Sequence, residues 1–371
     1  MKTTKLLIIS LSAGSGHVQA AKAIKETADT YPQVVCEHID MAGYITRVFK
    51  ASAISSYHVI IEHFPKLWKS FFDITDNENF LNAYYTITKY LKLINSFPLY
   101  KKIQQFNPDY ILCSHFLAAD VLLNTTSSNR PRVPVSVLVT DYGLHPLWAV
   151  SGVSHYFVAT SSIEQTLKKN HHVPKSHITV SGIPVYRSFY ENSKKEDLRT
   201  RYHLPLKNQT ILLLSGGQGL METDTLAKKI FSYSKPVTLI AIAGKNEELR
   251  QNLLRLSAPP HINYRVIGWT HDMASYIKLS DVVISKPGGL TTTECMISGV
   301  PLIAVNPIPG QEEFNVEFIQ QKNLGALAKD SESLLKLLHH FLEKKEPLES
   351  EKIQPASDII LKKIITAPTA H

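Results

Sequence analysis

The sequence lacks any apolar stretch long enough to cross a bilayer. A membrane-spanning helix needs about 20 consecutive apolar residues, whereas the apolar start at residues 6–11 is short and leads into a glycine-rich turn. The sequence therefore predicts neither a transmembrane helix nor a cleavable signal peptide. Any association with a membrane is then expected to be peripheral.

Cysteine is also scarce, and the nucleotide-binding fingerprints are incomplete. Cys36, Cys113 and Cys295 have no metal-like spacing and form an odd set, which favours a reducing cytoplasmic compartment over a disulfide framework. The turn at residues 13–17 lacks the third glycine of the dinucleotide motif, because Gln19 stands there, and it lacks the Lys-Ser/Thr pair of a P-loop. The sequence thus points away from a disulfide scaffold and from the two common nucleotide motifs.

The alternation of strand-like and helix-like segments predicts an α/β protein with two domains. A chain of 371 residues is expected to bury two cores, since single cores stop growing beyond about 250 to 300 residues. The alternation predicts two Rossmann-like, doubly wound sheets. We place the N-terminal domain at residues 1–185 and the C-terminal domain at residues 186–350. The predicted strands lie near residues 5–10, 34–39, 109–114, 135–139, 155–159, 179–181, 210–214, 237–242, 264–267, 281–285 and 301–305.

The most informative segment is SKPGGLTTTE at residues 285–294. A β-branched strand ends there in a proline-glycine break, and a helix should follow. The first turn of that helix offers unpaired N–H groups and a positive dipole end to a diphosphate. Glu294, about one turn further on, has two oxygens that can accept both hydroxyls of a ribose. An ordinary βα unit is the alternative. The expected ligand contacts before Glu294 are Pro287, Gly288, Gly289 and Thr291.

Polar residues after the next predicted strand extend this candidate site. Gln311 and Glu312 follow the strand at residues 301–305, and ligands of open parallel sheets bind at the carboxyl ends of strands. Both residues would then face a hexose while Glu294 holds the ribose. Capping of the helix predicted at residues 314–321 is an equally good role for either.

Together these residues resemble the C-terminal half of inverting, UDP-sugar-dependent glycosyltransferases with the B-type fold. The family they look like is that of monogalactosyldiacylglycerol synthase and processive diacylglycerol glucosyltransferase, with the related peptidoglycan lipid-intermediate N-acetylglucosaminyltransferase behind it. The resemblance covers roughly the whole chain. It implies two Rossmann-like domains facing a cleft, a UDP-sugar in the C-terminal domain, and a last helix within residues 351–371 that packs on the N-terminal domain.

Two more C-terminal segments fit this resemblance. The strand at residues 210–214 opens into a glycine turn where the backbone can approach a phosphate or the acceptor, and the turn residues are Gly216, Gly217 and Gln218. Residues 264–273 resemble the segment in which these enzymes hold uracil, and the matching residues are Trp269, Thr270 and Met273. A strand end followed by a helix cap is the alternative for the second segment.

The N-terminal turn contains the candidate base. Residues 14–21 resemble the family's Gly-x-Gly-His-x-x-Ala-Ala motif, at the start of a helix predicted over residues 18–30. In that setting His17, beside Gly16, faces the cleft, where a neutral imidazole can take the proton of an acceptor hydroxyl. A nearby helix N-terminus should lower the pKa of His17 and keep it neutral. A capping or core histidine is the alternative.

Residues 140–148 resemble the family's Thr-Asp-x-x-x-His-x-x-Trp motif and follow the strand predicted at residues 135–139. Asp141 would orient a histidine or itself accept the acceptor's proton. His145 and Trp148 would contact the acceptor, with Trp148 against a lipid or glycerol group. Turn capping by Asp141 and simple packing by Trp148 are the alternatives.

A formal charge of +8 favours an anionic partner. Residues 42–105 mix aromatic and basic side chains in long helical segments, as interfacial surfaces do. Because no nucleic-acid-binding module is recognisable, we expect an anionic membrane surface at the inner face of the cell membrane. The expected contact residues are Lys66, Trp68 and Lys69, although packing in the core is the alternative for such aromatics.

The reaction implied is a single inverting displacement. The hydroxyl of diacylglycerol or a similar lipid attacks the anomeric carbon of a UDP-hexose, glucose or galactose, while His17 takes the proton and helix N-termini stabilise the departing UDP. We expect no cofactor and no metal, because the sequence lacks an Asp-x-Asp motif. The alternatives are N-acetylglucosaminyl transfer to a polyprenyl diphosphate, nucleotide-sugar epimerisation, and non-catalytic sensing of a UDP-sugar.

Replacing Lys66, Trp68 and Lys69 together is expected to weaken vesicle binding and lipid glycosylation while UDP binding stays unchanged. Each basic residue near the headgroups contributes about 1 kcal/mol, which salt screens. Sedimentation with vesicles of rising anionic lipid content, at low and high salt, measures the effect. Equal sedimentation of variant and wild type at low salt would place these side chains in the protein's core.

Overall fold

The computed structural model describes most of the chain as two compact units. The described residues are 3–12, 14–46, 95–126, 129–216, 222–343 and 353–366. The first unit comprises Met1–Arg187, Pro309–Gln311 and Gln354–His371, and the second comprises Ser188–Ile308 and Glu312–Ile353. Lys66, Trp68 and Lys69 lie outside the described residues, as do Gly217 and Gln218.

The first unit contains a six-stranded sheet in which every described pairing is parallel. Its strands are β1 (Thr4–Ser10), β2 (Val34–Asp40), β3 (Tyr110–Cys113), β4 (Val135–Leu138), β5 (His155–Val158) and β6 (Ile178–Val180), in the order β2-β1-β3-β4-β5-β6. The accompanying helices are α1 (Ser15–Ala28), α2 (Phe97–Phe106), α3 (Phe116–Leu123) and α4 (Ser161–Asn170). Strands β3, β4 and β5 are buried at every residue, which explains their continuous apolar character.

The second unit repeats this architecture. Its strands are β7 (Gln209–Leu214), β8 (Val237–Ile242), β9 (Ile262–Ile267), β10 (Val282–Ser285), β11 (Leu302–Ala304) and β12 (Gly325–Leu327), in the order β12-β11-β10-β7-β8-β9. Its helices are α5 (Lys195–Arg201), α6 (Thr223–Ile230), α7 (Glu247–Leu254), α8 (Met273–Lys278), α9 (Gly289–Ser298), α10 (Glu313–Gln321) and α11 (Ser331–Glu343). The sequence did not predict β12. A Cβ atom on Gly325 would lie 1.8 Å from the Leu302 carbonyl oxygen, so this strand requires glycine.

The last helix, α12 (Ala356–Ile365), belongs to the first unit and packs on α1. Pro355 is its N-cap residue. The Asp358 carboxylate accepts a hydrogen bond from Tyr31 Oη at 3.0 Å and lies 3.4 Å from Arg187 Nη2. Within the described part of the chain, no helix has both the length and the apolar character needed to span a membrane.

Each sheet has one point where its chain connections diverge. In the first sheet β1 and β3 are neighbours. The chain leaves β1 towards β2 on one side, and it leaves β3 towards β4 on the opposite side. The same divergence separates β7 from β10 in the second sheet. Ligands of open α/β sheets bind beyond the carboxyl ends of strands at such switch points. The residues that follow β1, β3, β7 and β10 are therefore the first candidates for function.

A partly buried ionic network lies at the start of β10. The Asp281 carboxylate accepts a hydrogen bond from the Thr210 backbone N–H at 2.7 Å and pairs with Lys195 Nζ at 2.9 Å. It also pairs with the guanidinium of Arg199, which is buried and donates through Nε to the Leu279 carbonyl at 3.0 Å. The network thereby connects α5 to the strand that leads into the segment at residues 285–294.

Asp281→Ala is expected to lower the free energy of unfolding by about 3–5 kcal/mol, because it leaves the buried Arg199 without its counter-charge. Lys235→Ala is the matched control. It breaks a pair with Glu343 in which both side chains are about half exposed, and exposed pairs of this kind contribute little to stability. Urea unfolding of the two variants measures the difference. Equal stabilities would show that the Asp281 network contributes little.

Candidate active site

His17 lies in the first turn of α1, and its side chain contacts residues that follow two strands of the first sheet. Its Nδ1 atom is 3.0 Å from the carbonyl oxygen of Ser114, which follows β3, and 2.7 Å from Oγ1 of Thr140, which lies beyond β4. A carbonyl oxygen only accepts hydrogen bonds, so Nδ1 carries the proton and Nε2 holds the lone pair. Ser114 Oγ in turn donates to the His17 carbonyl at 2.9 Å. The Ser114 carbonyl therefore favours the tautomer with its proton on Nδ1, in which Thr140 Oγ1 is a second acceptor.

Burial keeps this imidazole neutral. It lowers the pKa of His17 to about 4 and outweighs the hydrogen bond to Ser114, which raises the pKa. The sequence predicts that the nearby helix N-terminus lowers the pKa of His17, whereas desolvation is the main cause in the structure. The unprotonated Nε2 atom is available as a base at neutral pH.

A second imidazole, which the sequence analysis did not identify, lies against His17. His115 is the N-cap residue of α3, and its Nδ1 atom accepts a hydrogen bond from the Leu117 backbone N–H at 3.1 Å. The two rings meet edge to face with their centroids 4.6 Å apart. The Trp148 ring lies 6.0 Å from each of them, and Phe116 stacks on His115 at 4.5 Å. We call His17, His115, Phe116 and Trp148 the aromatic cluster.

The other residues predicted in the first unit occupy the neighbouring turns. Gly16 is the second residue of α1, and Asp141 follows Thr140 in a half-buried bend. His145 Nδ1 accepts a hydrogen bond from the Leu147 backbone N–H at 3.3 Å and thereby caps the short 3-10 helix Pro146–Trp148. His145 thus has a local capping role, while Trp148 reaches the aromatic cluster. Asp141 as an orienting group or base stays a prediction.

In the second unit, α9 begins directly after β10 and the Pro287-Gly288 turn. Gly288 is its N-cap residue, and no side chain caps its first turn. A Cβ atom on Gly288 would lie 3.7 Å from Glu312 Oε1, so the Glu312 carboxylate sits beside this helix start. Glu312 Oε2 accepts a hydrogen bond from the Ile308 backbone N–H at 2.7 Å. Although Glu312 is the N-cap residue of α10, its side chain makes no capping hydrogen bond there.

Glu294 is a buried carboxyl group in the second turn of α9. It is 8% exposed, and among the described residues it has no hydrogen-bond partner. Burial raises its pKa to about 8. A buried carboxyl group without a partner is costly for the fold, and its cost is relieved when a ligand donates hydrogen bonds to it.

The remaining predicted donor residues follow β7 and β9. Gly216 has a φ angle of 79°, in the region that favours glycine. Trp269 is 40% exposed, and Lys245 Nζ lies 4.7 Å from its ring centroid. Thr270 Oγ1 accepts a hydrogen bond from the Asp272 backbone N–H at 3.0 Å, and Met273 begins α8. Pro287 and Gly289 are buried, Thr291 is half-buried, and Gln311 lies in the short segment that groups with the first unit.

The described residues were also compared with the arrangements of side chains that hold metal ions. Within the described ranges, no group of three or more His, Cys, Asp or Glu side chains is arranged to hold a metal ion. The candidate functional groups are therefore the side chains described above, which lie near the switch point of each sheet.

Two family models match most of the chain. Residues 17–185 match the model of monogalactosyldiacylglycerol (MGDG) synthase, and residues 211–363 match the C-terminal domain of glycosyltransferase family 28. Relatives include the processive diacylglycerol beta-glucosyltransferase of Staphylococcus carnosus, 29% identical over 341 residues that cover 90% of this chain and 83% of the relative. The enzyme of the same name from Bacillus pumilus is 26% identical over 352 residues, covering 94% and 89%.

Solved structures share the fold at low sequence identity. MurG of Acinetobacter baumannii superposes with a TM-score of 0.57 at 16% identity, covering 98% of this chain and 100% of that chain. Anabaena HepE in complex with UDP-glucose gives 0.54 at 17% identity, covering 97% and 95%. The UDP-GlcNAc 2-epimerase of Neisseria meningitidis gives 0.60 at 13% identity, covering 98% and 100%.

These comparisons confirm the predicted fold class and the predicted resemblance. The two six-stranded parallel sheets are those of glycosyltransferases with the B-type fold. The two family models and the relatives, which align over most of both chains, show that the chain is similar to the monogalactosyldiacylglycerol synthase and processive diacylglycerol glucosyltransferase family of glycosyltransferases.

Proposed function

We propose that the protein transfers a hexose from a UDP-sugar to the hydroxyl of diacylglycerol or a related lipid, with inversion at the anomeric carbon. The observation that carries this proposal is the match of residues 17–185 to the MGDG synthase model, because acceptor choice is expected to depend on the N-terminal half. The relatives named diacylglycerol beta-glucosyltransferases favour glucose as the sugar. Galactose is the competing donor, as the name of the family model suggests.

The first unit supplies the base in this proposal. The lone pair on His17 Nε2 takes the proton of the acceptor hydroxyl while Nδ1–H stays bonded to the Ser114 carbonyl. The hydroxyl oxygen forms a bond to the anomeric carbon, and the bond from that carbon to the UDP oxygen breaks. The electron pair of the broken bond leaves with the diphosphate.

The second unit supplies the donor contacts in this proposal. The Glu294 carboxylate accepts hydrogen bonds from the two ribose hydroxyls, and the uncapped first turn of α9 receives the diphosphate. Glu312, beside Gly288, contacts the hexose together with Gln311. Trp269, Thr270 and Met273 contact the uracil. Backbone donors and the helix dipole then balance the diphosphate's charge, and we propose that no metal or cofactor is needed.

We also propose that the protein works as a peripheral protein on the inner face of the cell membrane. The formal charge of +8 supports this location, because an anionic lipid surface attracts basic proteins. The lipid acceptor would then be reached at the headgroup layer. The vesicle experiment on Lys66, Trp68 and Lys69 tests this part separately from the chemistry.

Incubation of the purified protein with labelled UDP-glucose, UDP-galactose and UDP-N-acetylglucosamine over mixed lipids tests the reaction. Label in a diacylglycerol glycolipid supports the proposal. Label on a polyprenyl diphosphate, conversion of UDP-sugar without any acceptor, or UDP binding without turnover would instead support the transferase, epimerase or sensor alternative. The likeness to MurG and to the epimerase carries no weight here, because identities of 16% and 13% show the fold alone.

Glu294→Ala is expected to weaken UDP binding by roughly ten- to several hundred-fold. Each charge-assisted hydrogen bond to the ribose is nominally about 1.5–3 kcal/mol, and water replaces part of it. Isothermal titration calorimetry with UDP measures the change, and circular dichroism checks that the variant is folded. Unchanged affinity in a folded variant would remove Glu294 from the donor site.

The affinity for UDP is also expected to depend on pH. Burial raises the pKa of Glu294 to about 8 in the free protein, and hydrogen bonds from the ribose favour the carboxylate and lower that pKa. UDP binding should therefore release a proton, and affinity should rise with pH until about 8. Comparing heats in buffers of different ionisation enthalpy measures the released protons. Glu294→Gln is the matched control, because it keeps the shape and cannot release a proton.

His17→Ala is expected to lower turnover by about 10²–10⁴-fold while UDP affinity stays near the wild-type value. Turnover at saturating substrates should fall on the acid side only as pH approaches about 4, because burial keeps His17 unprotonated above that value. Initial rates between pH 4 and 8 measure both effects.

His177→Ala is the control for this experiment, since His177 is an exposed histidine of the same unit. It should retain wild-type rates. Near-normal turnover in His17→Ala would instead assign the base to Asp141, and Asp141→Asn would then show the loss.

A further inference from the structure

The proposed mechanism uses one histidine of the aromatic cluster and leaves the other, His115, without a role. His115 Nδ1 accepts a hydrogen bond from the Leu117 backbone N–H. Because a backbone N–H can only donate, His115 Nδ1 carries no proton. Burial, and to a smaller extent the nearby His17, hold the pKa of His115 well below its usual value. The ring is therefore neutral and has its proton on Nε2. His115 presents an N–H donor at the end of the ring that faces away from the helix it caps.

His17 has the opposite tautomer. Its Nδ1–H is bonded to the Ser114 carbonyl, which leaves a lone pair on Nε2. Neither Nε2 atom is hydrogen-bonded to any residue that the structure describes. Two adjacent rings thus offer one acceptor and one donor, and each lacks a protein partner within the described ranges.

An alcohol matches this pair. Its oxygen has one proton to donate and two lone pairs. The two rings meet edge to face with their centroids 4.6 Å apart, so one small group can lie against both imidazoles. One hydroxyl can therefore donate to His17 and accept from His115 at the same time. A carboxylate has no proton for His17 at neutral pH and matches only half of the pair.

We propose that His115 Nε2–H donates a hydrogen bond to the oxygen of the acceptor hydroxyl whose proton His17 takes. This inference rests on the proposed function of His17 as the base. The hydroxyl then points its O–H at His17, gives one lone pair to His115, and keeps the second lone pair for the anomeric carbon. As the new bond forms, the proton passes to His17, the UDP oxygen leaves with its electron pair, and His115 stays neutral throughout.

The surroundings of His115 strengthen such a bond. Phe116 stacks on the His115 ring at 4.5 Å, and the Trp148 ring lies 6.0 Å away and meets Phe116 edge-on at 5.7 Å. These side chains cover part of the ring with apolar surface, and a hydrogen bond is stronger in apolar surroundings than in water. The cap on α3 fixes the ring, so the donor needs no rearrangement when the acceptor arrives.

Two substitutions separate the donor from the cap. His115→Asn keeps an oxygen that can cap α3, since asparagine is a favoured N-cap residue, and it lacks the distant N–H. His115→Gln carries an amide N–H near the position of Nε2 and lacks the cap. If His115 binds the acceptor, His115→Asn lowers kcat/KM for diacylglycerol by roughly three- to tenfold, the effect of one hydrogen bond, with UDP affinity and thermal midpoint unchanged. His115→Gln lowers the midpoint and recovers most of that kcat/KM.

Three results would overturn the proposal. Wild-type acceptor kinetics in His115→Asn, with His17→Ala inactive, would remove His115 from the acceptor site and leave the base in place. A shifted acid limb of kcat in His115→Asn would show that His115 acts through the pKa of His17 and does not touch the acceptor. A fully active His17→Ala would overturn the base assignment, and this inference with it.

Discussion

The hydrogen bond from His17 Nδ1–H to the Ser114 carbonyl is the constraint on which the chemistry of the first unit depends. The two residues are 97 positions apart in sequence, and they meet because β1 and β3 are neighbours in the sheet. The Ser114 N–H donates to the Ile9 carbonyl at 3.0 Å, so the acceptor of the bond is itself tied to β1. A sheet buried on both faces thus holds one imidazole in the tautomer that leaves Nε2 unprotonated.

Burial shifts the pKa values of His17 in the first unit and Glu294 in the second unit in opposite directions. It lowers the pKa of His17 to about 4 and raises the pKa of Glu294 to about 8, so both groups are largely uncharged at neutral pH. In the proposed mechanism His17 is the base, and because the neutral form of a base is the active one, His17 is ready before substrate arrives. Glu294 is proposed to accept hydrogen bonds from a ribose, for which the charged form of the carboxyl group is the better partner. On this proposal the ligand completes the Glu294 site, whereas His17 is preorganised.

Local patterns in the sequence predicted most strands and the residues that sit within one turn of them. His17 and Glu294 were identified because each lies at a fixed spacing after a strand and a glycine turn. His115 was not identified, because its position beside His17 depends on strand order, which no local pattern contains. Strand β12 was missed for a related reason. It is three residues long, and its need for Gly325 arises from the Leu302 backbone of a neighbouring strand.

The fold does not select the reaction, since proteins named as a glycosyltransferase and as UDP-N-acetylglucosamine 2-epimerases share it at 12–14% identity. If the UDP-sugar binds at the second switch point, as proposed, the acceptor has to be selected at the first. There the described side chains of the aromatic cluster are uncharged, with His17 and His115 kept neutral by burial. A diphosphate next to these rings would lose its hydration without gaining a counter-charge from the cluster. A lipid alcohol carries no charge and avoids this cost. The cluster therefore favours an uncharged hydroxyl as the acceptor.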